Sequence, residues 1–104
     1  MLITTTNHIP GREIIEVLDI ARGSTVRARN IGRDIFAGLK SIVGGEIEEY
    51  TKLMSQAREQ AIDRMIADGE VLGAHAIINV RFTTAQVMQG ASEILAYGTA
   101  VKLK

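Results

Sequence analysis

The chain has 104 residues, enough for one domain and one modest core. Hydrophobic residues make up 46% and the only aromatic side chains are Phe36, Tyr50, Phe82 and Tyr97, so the core is aliphatic. Twelve basic and twelve acidic side chains cancel, and there is no cysteine. This excludes an overall field for nucleic acid or an anionic membrane, and excludes disulfides, thiol nucleophiles and zinc–thiolate sites.

Leu2 to Thr6 is β-branched and reads as a short strand, and Asn7 to Gly11 as a turn built on Pro10 and Gly11. The opening MLITTTNHIPG has no signal-peptide pattern and no apolar run approaches a membrane span, so the expectation is a soluble, cytoplasmic protein. Glu13 to Ala21 fits a short helix or a strand. Its β-branched content favours strand, with a bend at Gly23-Ser24 and continuation over Thr25 to Arg29. In that strand Ile14, Leu18 and Ile20 share one face, and Ile15 and Val17 the other.

Asn30 is placed to cap a helix over Ile31 to Val43, closed by Gly44-Gly45. Glu46 to Asp68 has the strongest periodicity in the chain. Ile47, Tyr50, Met54, Ala57, Ala61 and Met65 recur at helical spacing, with Glu48, Lys52, Gln56, Glu59 and Asp63 opposite. Gly69 suits the left-handed residue that ends it. Arg58 falls on the apolar side, among Met54, Ala61 and Met65. His75 to Thr84 is a strand with Ala76, Ile78, Val80 and Phe82 on one face. Ala85 to Ser92 is a connection turning at Gly90. In the last strand, Glu93 to Lys104, Leu95, Tyr97, Val101 and Leu103 alternate with Ile94, Ala96, Gly98 and Ala100. The fold class is α+β: an antiparallel sheet with two consecutive helices, one long, on one face. The last strand is apolar on both faces and one helical layer covers only one, so a second copy of the chain is expected on the other.

The runs TTTNHIPG, GSTVRARNIGRDI, VGGEIEEYTKLMSQAREQAIDRM, LGAHAIINVRF and AYGTAV together resemble the YbjQ-like family, whose members are often labelled heavy-metal-binding. The resemblance spans nearly the whole chain. It implies one domain over residues 1–104, a subunit of the dodecin type, and a homopentameric ring as the partner arrangement. The chain departs from that pattern at two positions: the family often has Gly at Asn79 and Asn at His75.

The metal label finds little support in the residues. Soft metals take thiolates or clustered imidazoles, and this chain has His8 and His75, on separate elements. Glu46 and Glu49 would hold a hard cation weakly. A ring would gather five copies of His75, which makes it the candidate ligand, although an ordinary strand histidine is the simpler reading. Arg22, Arg27, Arg29 and Arg33 form a basic concentration, read as an anion site or, more simply, as side chains paired with Glu16, Asp19 or Asp34. Gly44-Gly45-Glu46 lacks the ending of a phosphate loop and reads as a helix–helix corner.

Arg58 needs a carboxylate or carbonyls if it is buried. The polar cluster expected to bind a ligand or to lie between subunits is therefore Arg58, Tyr50, Glu46 and Arg81. No serine lies in a nucleophile-elbow sequence. The reading favoured is a non-enzymatic homo-oligomeric ring that holds a small ligand between subunits, without nucleic-acid or membrane partners and with no cofactor specified. A metal-binding protein and an enzyme with an intersubunit site are the alternatives.

Overall fold

Turn chemistry sets the path of the N-terminus. In the computed structural model, which describes residues 1–28 and 45–104 and the side chains of 1–27 and 51–104, Gly11 has φ 77°. The Arg12 N–H donates to the Ile9 carbonyl at 3.0 Å. Pro followed by a left-handed Gly is the type II turn. Strand β1 is Leu2–Ile3, shorter than the predicted Leu2 to Thr6. The segment still follows the edge of β3 (Ala76–Met88): Thr4 N–H donates to Ile77 O, Val80 N–H to Thr4 O, and Asn79 N–H to Thr6 O.

The sheet has four strands in the order β1-β3-β4-β2, with β2 spanning Ile14–Ala28 and β4 Ala91–Leu103. β3 with β4 and β4 with β2 are antiparallel, but β1 runs parallel to β3, so the sheet is mixed where a purely antiparallel one was expected. Most of the predicted connection from Ala85 to Ser92 is strand. The hairpin turns only at Gln89-Gly90, with Gly90 at φ 78°.

The helix α1 runs Gly45–Val71 and passes through Gly69, which the sequence reading had placed at its end. The left-handed residue is Gly73, at φ 79°. Ala74 N–H donates to Gly69 O and Gly73 N–H to Glu70 O, each at 3.0 Å, which is the Schellman closure. Gly69 is buried against Ile77 instead, where a Cβ would meet the Ile77 Cδ1 at 2.9 Å. The predicted helix over Ile31 to Val43 lies outside the described residues.

One face of α1 presses Ala57, Ala61 and Met65 onto Ala21, Ile77, Val80, Ile94, Ala96 and Ala100, all buried. The small residues of β4 therefore sit beneath the helix, as their alternation predicts. The closest approach is on β2, where the α1 backbone passes over Gly23. On the opposite face a second cluster, Ala76, Ile78, Val101 and Leu103, is covered by Ile9 and Ile14 from the N-terminal turn and strand.

Bulges redistribute side chains that strict alternation had assigned. The register of β3 against β4 shifts between Ile78 and Arg81, and Asn79 lies there at φ 53°. One residue in the left-handed region bulges the strand, so Ile77 and Val80, three apart, share the helix-facing core, while Ile78 lies in the opposite cluster. Ala76, Ile78 and Val80 therefore do not share a face. β2 shifts register twice, between Ile14 and Glu16 and between Val17 and Asp19. Leu18 packs into the helix-facing core, whereas Ile14 joins the opposite cluster and Ile20, paired with Thr99, is exposed. The strand nevertheless continues straight through the bend expected at Gly23-Ser24.

Candidate functional site

Arg58 is exposed, and its Nη2 donates to Ser55 Oγ at 2.9 Å within the same helix turn. It does not occupy the apolar face. The buried stripe follows Ala57, Ala61 and Met65, as the periodicity predicts, and Arg58 lies at its margin. Arg81 sits on the other side of the sheet: it pairs in register with Tyr97, and its Nη1 donates to Thr5 O and Val80 O, each at 2.9 Å. Arg58 and Arg81 therefore do not meet within one chain. The side chains of Glu46 and Tyr50 lie outside those described.

Both candidate metal ligands make local hydrogen bonds. The Nδ1 of His75 accepts the Leu103 N–H at 2.9 Å, and the His75 N–H donates to Val101 O at 2.9 Å. Such an imidazole is in its neutral Nε2–H tautomer and ties the start of β3 to the end of β4. The Nδ1 of His8 lies 2.9 Å from Asn7 Oδ1. Among the described residues no three of His, Cys, Asp and Glu converge on a point that would hold a metal ion. With no thiolate and one imidazole nitrogen given to a backbone N–H, the donors among the described residues do not fit a heavy metal.

The arginines of β2 do not pair with Glu16 or Asp19, and Asp34, the third expected partner, lies outside the described residues. Asp19 Oδ1 accepts its neighbour's N–H, that of Ile20, at 2.7 Å. Two side chains of α1 cap the outer backbone of β2: Asp68 Oδ2 accepts the Arg22 N–H at 2.9 Å, and Arg64 Nη1 donates to Ser24 O at 2.6 Å. Arg27 Nη2 donates to Gln60 Oε1 at 2.6 Å. Arg29 and Arg33 lie outside the described residues. Sequence reasoning missed Gln60, Arg64 and Asp68, because on a helical wheel each is an ordinary flank position. The available signal was their spacing of four, whose rise of about 6 Å is close to that of two strand residues, as in the step from Arg22 to Ser24.

Among the described residues the surface carries a series of exposed apolar side chains. α1 lies over β2 and β4 and barely reaches β3. Phe82 is left half exposed, and on the far side of the sheet Val17 is 65%, Ile20 57% and Val26 53% exposed. Tyr97 stands among them, flanked in register by Arg22 on β2 and Arg81 on β3. Val87 and Met88 extend the surface to the hairpin end.

These observations define a small α+β domain with one long described helix, a mixed four-stranded sheet and an open apolar face carrying a row of arginine, tyrosine and arginine. The chain belongs to the YbjQ family, whose model, described as "Putative heavy-metal-binding", matches residues 1–104. A UPF0145 protein of Archaeoglobus fulgidus is 58% identical over 104 residues, covering 100% of this chain and 96% of that protein. One of Photobacterium profundum is 58% identical over 103 residues, covering 99% and 100%. A crystal structure of a DUF74-family protein of unknown function from Pediococcus pentosaceus superposes with a TM-score of 0.71 at 18% identity, over 100% of this chain and 98% of that one. That likeness establishes the fold alone. No helix among the described residues is long and apolar enough to cross a membrane.

Proposed function

We propose that the protein works as a homo-oligomeric ring, five copies in the form the family resemblance implies, and that a small ligand is held between copies. The observation that carries this reading is the open apolar face. On that face Val17, Ile20 and Val26 are each more than half exposed beside Tyr97, and an exposed apolar patch of this kind marks an interaction surface.

Burying that face would take Arg22 and Arg81 out of water beside Tyr97. Arg81 already donates to the Thr5 and Val80 carbonyls, but among the described residues no carboxylate balances either guanidinium, and a neighbouring copy or a bound ligand would supply one. This supports a site between copies with Arg81 in it. A heavy-metal role has no comparable support from the donor set.

Sedimentation equilibrium at micromolar concentration tests the assembly. The expected result is a single oligomeric species that Val17→Asp combined with Ile20→Asp dissociates while the far-ultraviolet circular dichroism is kept. A folded, stable single chain would end the proposal. Native mass spectrometry of the assembly, after buffer exchange, would show whether mass beyond the polypeptide is retained.

A further inference from the structure

Beneath α1 is a polar corner that neither the apolar face nor the family label accounts for. Ala21, Gly23, Thr25 and Arg27 alternate along β2 on its helix side, and the first three are buried. Thr25 is only 2% exposed, and its Oγ1 has no hydrogen-bond partner among the described residues. The Nε of Arg27, two residues on, is also buried and unpartnered among them. Gln60 of α1 holds the same guanidinium through Nη2 at 2.6 Å. Buried hydroxyl and guanidinium N–H groups are nearly always paired, so two orphans on one strand face, two residues apart, mark a place built for something else.

We propose that this corner between β2 and α1 binds a small oxyanion, a carboxylate or a phosphate, through Arg27 Nε and Thr25 Oγ1. The chemistry selects an anion. Arg27 brings a positive charge with its Nε–H buried, its one described side-chain partner is the neutral Gln60, and the Thr25 hydroxyl has no partner among the described residues. Gln60 fixes the guanidinium plane, so the Nε–H is preorganised and little side-chain freedom is lost on binding. A neutral ligand would leave the guanidinium charge uncompensated in a half-buried setting. The site lies on the helix side of the sheet, away from the apolar face, and stands or falls independently of the ring.

The test uses the full chain and three probes at matched ionic strength: inorganic phosphate, acetate and chloride. Thermal unfolding should shift upward with phosphate or acetate relative to chloride, and the anion giving the larger shift identifies the class. Thr25→Val is nearly isosteric and removes the hydroxyl; Arg27→Lys keeps the charge and removes the Nε–H. Both should weaken anion affinity, measured by calorimetry, at least tenfold while retaining cooperative unfolding. The same anion effect in wild type and both variants, or none in wild type, would overturn the proposal. So would a crystal grown in the anion showing only water, or a carboxylate of the protein itself, at Arg27 Nε.

Discussion

Gly23 lies directly beneath the backbone of Met65: a Cβ added there would fall 2.3 Å from the Met65 nitrogen and 2.4 Å from the Ala61 carbonyl oxygen. Both neighbours are main chain in the middle of a helix, so neither can rotate away as a side chain would. The contact fixes how close α1 approaches the sheet, and with it the burial of Ala57, Ala61 and Met65.

Gly23→Ala should therefore cost about 3 kcal/mol or more, at the upper end for overpacking, because the whole helix must lift. Urea unfolding followed by circular dichroism measures it. Gly90→Ala is the control: nothing lies within 4 Å of its added Cβ and only the φ of 78° is strained. It should lose about 1 kcal/mol.

The Asn79 bulge predicts a different pattern. At φ 53° the backbone is left-handed, which asparagine tolerates better than other residues with a Cβ and glycine tolerates best. Asn79→Gly should leave stability within about 0.5 kcal/mol, while Asn79→Val should lose about 2 kcal/mol, since a β-branched residue is a genuine outlier there. Thermal melts of the two variants decide it.

How much of this was legible in the sequence depends on which force set each feature. The long helix, the alternation of β4 and the Pro10-Gly11 turn follow from periodicity and from single-residue backbone preferences, and all three are in the structure. The faces of β2 and β3 were misread because a bulge adds one residue to the count without altering composition, and Asn79 carries no local mark that separates it from a surface asparagine. Gly69 and Gly73 were confused because both follow helical residues; Gly69 stays helical, packed against Ile77, and the left-handed closure falls at Gly73. The stripe of Ala57, Ala61 and Met65 lies where the periodicity placed it; Arg58 stands at its margin, and its long side chain reaches Ser55, which a wheel of backbone positions does not show. The capping of β2 by Arg64 and Asp68 depends on which strand the helix crosses, information that no window of sequence contains.

His75 offers a test of whether its imidazole serves the backbone or a ligand. Its Nδ1 accepts the Leu103 N–H at 2.9 Å, and an asparagine Oδ1 occupies nearly the same position relative to Cβ. His75→Asn should preserve stability within about 0.5 kcal/mol. His75→Ala should lose about 1 kcal/mol, the typical net value of one hydrogen bond. Amide hydrogen exchange at Leu103 should quicken only in the alanine variant. Equal loss in both variants would assign the imidazole some other task.

The last prediction concerns the edge of β2. Among the described residues this strand has no neighbour on its outer side, and an unpaired edge is a template for further strand addition. Over Arg22 to Ser24 the helix blocks that route: Asp68 takes the Arg22 N–H and Arg64 covers the Ser24 carbonyl. Charged partners make these bonds individually stronger than neutral ones, though exposure lowers what each contributes. Asp68→Ala with Arg64→Ala should lower stability by about 2 kcal/mol in total. The larger effect should be kinetic. With both caps gone, the edge exposes a backbone donor and acceptor between the exposed Ile20 and Val26. The double variant should then form thioflavin-binding aggregates at a rate that rises with concentration, under conditions where the wild type does not. Asp68→Asn, which keeps an acceptor in place, should stay clear of that behaviour. If the double variant remained as soluble as the wild type, the two side chains would be bonding to the edge without protecting it.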